Sequence, residues 1–183
     1  MAFITNFQAP VEEADLVDRF ETDGLTNIDH VLSFEDTLRE WTVDKECKIG
    51  DRVFFMCAAT SKDHMAHVCK QIRELYKDES ELIEYAEKEK ALYKQYAGNI
   101  VAVGKVEEAP FQTQDSGYEH AYWRSPWYAK IHEFVLLDVP VNISEFRNFI
   151  KVSRTGSITR LNDDQASLLN EIILEKNPRL SFS

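Results

Sequence analysis

Residues 51–58, DRVFFMCA, carry a nearly unbroken apolar stretch behind the turn-like KIGD. A strand that is apolar at successive positions, rather than alternate ones, is buried on both faces or closed into a barrel. The next strand pattern, NIVAVGKVEE at 99–108, arrives only after two helical ones. In 63–77, Met65, Val68, Cys69, Ile72, Leu75 and Tyr76 recur at helical spacing. In 80–96, Ser80 is placed to cap a charged surface helix and Gly98 to stop it. A third strand is predicted at 128–138, where Ile131, Phe134 and Leu136 or Leu137 do not alternate cleanly, which implies a bulge. Pro140 is expected to end that strand, and Gly104 to mark a bulge or barrel corner in the second.

The remaining segments are shorter. The first 30 residues read as a loop with one short helix, EEADLVDRF. Ser33 and Asp36 have capping-box spacing, which predicts a helix over 34–41 with Trp41 on its inner face. Ser144 is expected to cap a short helix through Phe149, and 151–161 to be a loop turning at Gly156. Asn162 caps a closing amphipathic helix with Ala166, Leu168, Leu169, Ile172 and Ile173 inward. Few strands, separated by helices that do not repeat as βα units, make the class α+β.

A chain of 183 residues suits one domain. No apolar run approaches the roughly 20 residues that span a bilayer, and no basic stretch precedes an apolar one at the start. Three cysteines, Cys47, Cys57 and Cys69, are an odd and sparse set, expected to be reduced thiols in a cytoplasmic protein without a membrane partner. The net charge of -11 disfavours non-specific binding to polyanions. The acid is uneven, because residues 1–60 carry 13 acidic and 5 basic side chains. Between 145 and 162, Arg147, Lys151, Arg154 and Arg160 stand against Glu145 alone, a local basic face that could meet nucleic acid or simply be solvated.

The long segment 109–127 is rich in aromatics, and Trp123 and Trp127 flank RSP within it. Two tryptophans so placed are a stacking platform for a base, or else they pin the loop to the core. His64, His67 and Cys69 share a helix, but Cys69 points away from the histidines and no paired ligand motif supports a metal. Ser61, Asp63 and His64 give no triad geometry, because adjacent helical residues do not face each other. Asp163 and Asp164 are first-turn helix acids, and GSITR at 156–160 lacks the phosphate-loop pattern. No catalytic residue, metal or cofactor is therefore assigned.

In their order and spacing, IGDRVFF (49–55), NIVAVGKV (99–106), KIHEFVLLDVPVNISEF (130–146) and RTGSITRL (154–161) resemble the EVE domain of the PUA-like superfamily, related to PUA, YTH and ASCH domains. The resemblance covers roughly 40–175, leaving 1–32 as an N-terminal extension and 62–97 as an enlarged helical insertion between the first two core strands. It implies a small mixed β pseudo-barrel of about five or six strands with flanking helices, and a pocket that accepts a flipped, often modified, base of DNA or RNA. Carried over by position, it implies that Phe55 and Trp127 stack, with Trp123 and Tyr128 completing an aromatic wall. Thr60 and Ser61 would lie at the pocket mouth beside Asn99 and Ile100, and Asn99 and Ser61 would bond the base edge. Ser153, Arg154, Thr155 and Arg160 would hold a backbone phosphate, although the two arginines could equally pair with the acidic N-terminal part. Two other readings stand beside this one. The charged helix over 80–97 and the acidic N-terminal part could be the contact face for a protein partner. The same pocket could take a small ligand or nucleotide, as a binding protein or as an enzyme needing an acid or base such as His120, His132 or Glu133.

Overall fold

The computed structural model describes residues 1–33, 39–112, 126–153 and 158–181. Among these residues, seven strands and six helices follow in the order β1 (Ala2–Phe7), α1 (Glu13–Thr22), α2 (Asn27–Leu32), β2 (Arg39–Thr42), β3 (Arg52–Cys57), α3 (Ser61–Leu75), α4 (Ser80–Tyr96), β4 (Asn99–Val106), β5 (Phe111–Gln112), β6 (Trp127–Asn142), α5 (Ile143–Phe146), β7 (Ile158–Leu161) and α6 (Asp163–Lys176). The class is α+β, as the sequence implies. The residues separate into two compact units, Met1–Asn6 with Phe34–Met56 and Ile100–Ser183, and Phe7–Ser33 with Cys57–Asn99.

The first unit is built on one sheet of order β2-β6-β4-β3-β1-β7, with β5 also paired to β6. β1 and β7 are antiparallel, as are β2 and β6, and β3 and β4. β1 and β3 run parallel, because the Met1 carbonyl accepts from the Arg52 N–H and the Phe7 carbonyl from the Ala58 N–H. One face of this mixed sheet carries Ile4, Phe54, Met56, Ile100, Val103 and Leu137, buried with Phe146, Leu169 and Ile173 from α5 and α6.

The sheet curls. β1 and β2 are four strand steps apart in the order, about 19 Å on a flat sheet at roughly 4.8 Å per step. Yet the Thr5 hydroxyl of β1 donates to the Thr42 carbonyl of β2 at 3.2 Å, and the Trp41 indole N–H donates to Thr5 Oγ1 at 3.2 Å. The inner side of the curl is tight at Gly104. A Cβ there would meet Ile131 Cγ2 at 2.5 Å and Phe55 Cε2 at 3.5 Å. Gly104 thus marks a close approach; the register shift in this ladder lies at Phe55/Met56. Gly104→Ala is expected to cost about 1–3 kcal/mol of stability, read as a lowered urea midpoint at unchanged slope.

Several boundaries differ from expectation. β1 and β7 form strands where loops are predicted, each supplying the other's ladder from Ala2↔Leu161 to Thr5↔Ile158. Residues 39–41 of the predicted helix over 34–41 belong instead to β2, paired Trp41↔Ala129 with β6, and 34–38 lie outside the described residues. β6 does not stop at Pro140 but continues to Asn142. Proline is tolerated there because its neighbour Val139 bonds a side chain: its N–H donates to Asn177 Oδ1 at 2.8 Å and its carbonyl accepts from Asn177 Nδ2 at 3.0 Å. The bulge expected in β6 falls at Glu133, where φ is +46° and inward residues pass from Ile131 to Phe134. Lys105 Nζ holds Glu133 Oε2 at 2.7 Å. α5 is capped by Asn142, through its side chain to the Ser144 N–H, rather than by Ser144.

The second unit is helical. Leu16 of α1, Ile28 and Val31 of α2, Met65, Val68 and Ile72 of α3, and Leu82, Ala86 and Tyr93 of α4 are buried in it. The predicted extension and insertion supply these helices. Gly98 turns the chain out of α4 at φ +77°, its N–H donating to the Cys57 carbonyl at 2.8 Å.

Candidate functional site

The inner face of the curled sheet gathers aromatic rings. Phe55 of β3 is completely buried, and two half-buried rings close on it edge to face: Trp41 of β2 at 5.4 Å between centroids and Phe134 of β6 at 5.1 Å. The Val43 N–H donates to the Trp127 carbonyl at 2.9 Å, so the β2–β6 pairing continues past Trp41↔Ala129. Alternation then puts half-buried Trp127 on the same face as Ala129 and Trp41, as a diagonal cross-strand neighbour of Trp41. Thr5, fully buried, fixes the Trp41 indole by the hydrogen bond that also ties β1 to β2. The bulge at Glu133 brings Phe134 onto this face, where strict alternation would have turned it away.

Arg160 crosses the mouth of the curl. It sits opposite Phe3 in the β1–β7 ladder. Its guanidinium grips both carboxylate oxygens of Asp44, just beyond β2, through Nε and through Nη2 at 2.8 Å, and Nη1 reaches Glu46 Oε2 at 2.6 Å. The hydrogen bonds it donates to Asp44 hold the guanidinium more firmly protonated than usual. The two outer strands of the sheet are thus joined by side chains, and one cation faces two acids there.

The other residues singled out in the sequence are distributed over both units. In the first, Ile100 is buried on the opposite face of the sheet with Phe54 and Leu169. Tyr128 is half-buried between Thr42 and Phe111 in the ladder, on the face away from Trp127. The Ser153 N–H donates to Thr159 Oγ1 at 2.8 Å, and its carbonyl accepts from Asn6 Nδ2 at 3.4 Å. In the second unit, Thr60 is the exposed residue preceding α3, its carbonyl accepting from the Asp63 and His64 N–H groups. Ser61 is fully buried and accepts from the Ala9 N–H at 3.1 Å. The Asn99 amide donates to the Tyr96 and Ala97 carbonyls at 3.1 and 3.3 Å, finishing the end of α4. Trp123, Arg154, Thr155 and His120 lie outside the described residues. Phe55 and Trp127 therefore share the inner face, but Phe55 has no exposed side on which to stack.

Trp41, Phe134, Thr5 and Asp44 were not singled out as site residues, and they shape this face. The signal was present for Trp41 in EWTVD at 40–44, where Trp41 and Val43 alternate with Glu40, Thr42 and Asp44.

The reactive side chains are quiet. Burial pushes Cys47 and Cys69 up to about 11 and Cys57 to about 12, so none is a thiolate near neutral pH. Among the described residues no group of three or more His, Cys, Asp or Glu side chains could hold a metal ion. His132 Nδ1 lies 4.0 Å from Glu133 Oε1, and Glu133 is already engaged by Lys105. The sheet's other face opens into a cleft of about 440 Å³, where Arg52 Nη1 donates to Asn170 Oδ1 at 2.9 Å among residues of both charges. No helix among the described residues is long and apolar enough to cross a membrane.

No family model matches the chain, and no curated protein does. The crystal structure of protein Atu2648 from Agrobacterium tumefaciens is similar to this chain at 14% identity and a TM-score of 0.47, over 100% of this chain and 99% of that one.

Proposed function

We propose that the inner face of the curled sheet is a pocket for a flat aromatic group, and that the chain is a nucleic-acid-binding module reading a single flipped base, modified or plain, in the manner of the EVE and PUA-like domains its sequence resembles. The observation that carries this reading is the set of half-buried rings, Trp41, Phe134 and Trp127, on one concave face over the buried Phe55. Rings gathered on one face suit a base, because every base offers a π-face to stack on aromatic side chains. The joining of the outer strands by Arg160 and Asp44 supports a PUA-like pseudo-barrel over an open sheet.

One observation favours a second reading. Arg160 is held by Asp44 and Glu46, so a phosphate would have to displace two carboxylates from it. A free nucleoside or similar planar heterocycle, binding without a phosphodiester backbone, avoids that competition.

Titration of the full chain with plain and modified single-stranded DNA and RNA, and with free nucleosides, separates the two. Trp127→Ala is expected to weaken binding of the recognised ligand by about 1–3 kcal/mol, read as a roughly tenfold to hundredfold rise in Kd. Affinity that rises with a neighbouring phosphate supports the nucleic-acid reading, and equal affinity for the nucleoside supports the second. No binding across the panel, or unchanged binding in both Trp127→Ala and Trp41→Ala, overturns both.

A further inference from the structure

The helical unit buries two carboxyl groups against each other. Glu89, in the middle of α4, has no exposed surface, and Asp29 of α2 is 9% exposed. The Thr26 hydroxyl stands between them, 2.7 Å from Glu89 Oε2 and 3.3 Å from Asp29 Oδ2. That hydroxyl has one proton, so it serves one carboxylate at a time. It also accepts from the Tyr93 hydroxyl at 3.0 Å, and the Thr26 N–H donates to Asp29 Oδ2 at 2.9 Å. Glu89 Oε1 and the neighbouring Tyr85 hydroxyl are buried without a hydrogen-bond partner among the described residues.

Among the described residues, no buried cation compensates this cluster. From α4, the Lys88 ammonium lies 3.9 Å from Glu89 Oε1 with its side chain 63% exposed. From α1 and the turn after it, Arg19 and Asp23 act on Tyr85 with opposite signs. From α2, His30 faces Asp23 at 3.9 Å. Two buried carboxylates without a strong cation cannot both stay ionised, so one must keep a proton. Glu89 is that group, since it is the more buried and its Oε1 is the oxygen left over.

We propose that Glu89 and Asp29 form a proton-operated latch within the helical unit: the retained proton relieves the repulsion between the two carboxyls and so keeps α2 on α4, and its loss frees α2. This goes beyond the pocket reading and is independent of it.

Burial, then the facing Asp29 carboxyl, raises Glu89 to about 7. When α2 opens, Glu89 meets water and returns to the ordinary carboxylate value of about 4.3. The closed form therefore binds the proton more tightly than the open form. Its advantage is complete below about pH 4.3, declines as pH rises toward 7, and is gone above.

The test is amide hydrogen exchange of residues 27–32 in the full chain between pH 5 and 8.5, corrected for intrinsic rates. Protection is expected to fall by roughly tenfold per pH unit up to about pH 7 and then to level. Glu89→Gln, which keeps the shape and a donor but cannot titrate, should show pH-independent protection and exceed the parent at pH 8. Asp29→Asn, which leaves an acceptor for the Thr26 N–H, should move the levelling point to lower pH. Flat protection in the parent chain, or an unchanged fall in Glu89→Gln, overturns the latch. So does a Glu89 carboxyl carbon that titrates with the exposed glutamates by NMR.

Discussion

Replacing Phe55 with alanine is expected to destabilise the chain by about 3–5 kcal/mol, a loss of fold before a loss of ligand. The ring has no exposed surface and supports Trp41 and Phe134 from beneath at 5.4 and 5.1 Å. Its removal leaves a cavity under both, and Gly104 beside it offers no side chain to fill it. Phe55→Leu should retain most of the stability, because it keeps apolar volume. Trp127→Ala, by contrast, should leave the unfolding midpoint nearly unchanged while weakening binding. Urea titration of the three variants separates supporting from contacting aromatics. A Phe55→Ala chain as stable as the parent would show that the ring is not core.

The second large effect is expected at Asn177. Its buried side-chain amide bonds both backbone groups of Val139 and donates to the Ile173 carbonyl at 2.9 Å. This single side chain stands in for a strand partner beside Pro140. Asn177→Ala strands the Val139 N–H and carbonyl in a partly buried place and should cost about 2–4 kcal/mol, visible as a lower Tm. Asn177→Asp keeps the acceptor and loses the donor, and should fall between the two. Equal stability of all three would mean that water replaces the amide.

These two positions also show what the sequence conceals. α3, α4 and α6 were legible because each presents apolar residues at helical spacing over three turns or more, which few other structures reproduce. β3 and β4 were legible from their apolar runs. β1 and β7 were not, because each is short and acquires its strand character from the other, across nearly the whole chain. Strand propensity is set by such neighbours more than by the residues themselves. β2 was misread because the Ser33–Asp36 cap signal outweighed the alternation of Trp41 and Val43. Pro140 was taken as a stop because Asn177, its compensation, is far along the sequence. The candidate aromatic site was half legible: Trp127 stood out in an aromatic-rich segment and Phe55 through the family resemblance, whereas Trp41 and Phe134 needed the sheet pairing and the bulge at Glu133. The Glu89–Asp29 pair was invisible, since a glutamate amid EYAEKEK reads as a solvated helix face.

The pairing of Ala2 with Leu161 has a consequence for how the protein is made. β1 leaves the ribosome long before β7, and its β7 ladder cannot form until residues 158–161 follow. In the interval β3 can cover one side of β1, while the other side offers unpaired backbone beside Phe3 and Ile4. An edge of this kind recruits foreign strands. Slowing elongation after residue 106 should therefore increase aggregation of nascent chains, by lengthening the wait for the strand that closes them.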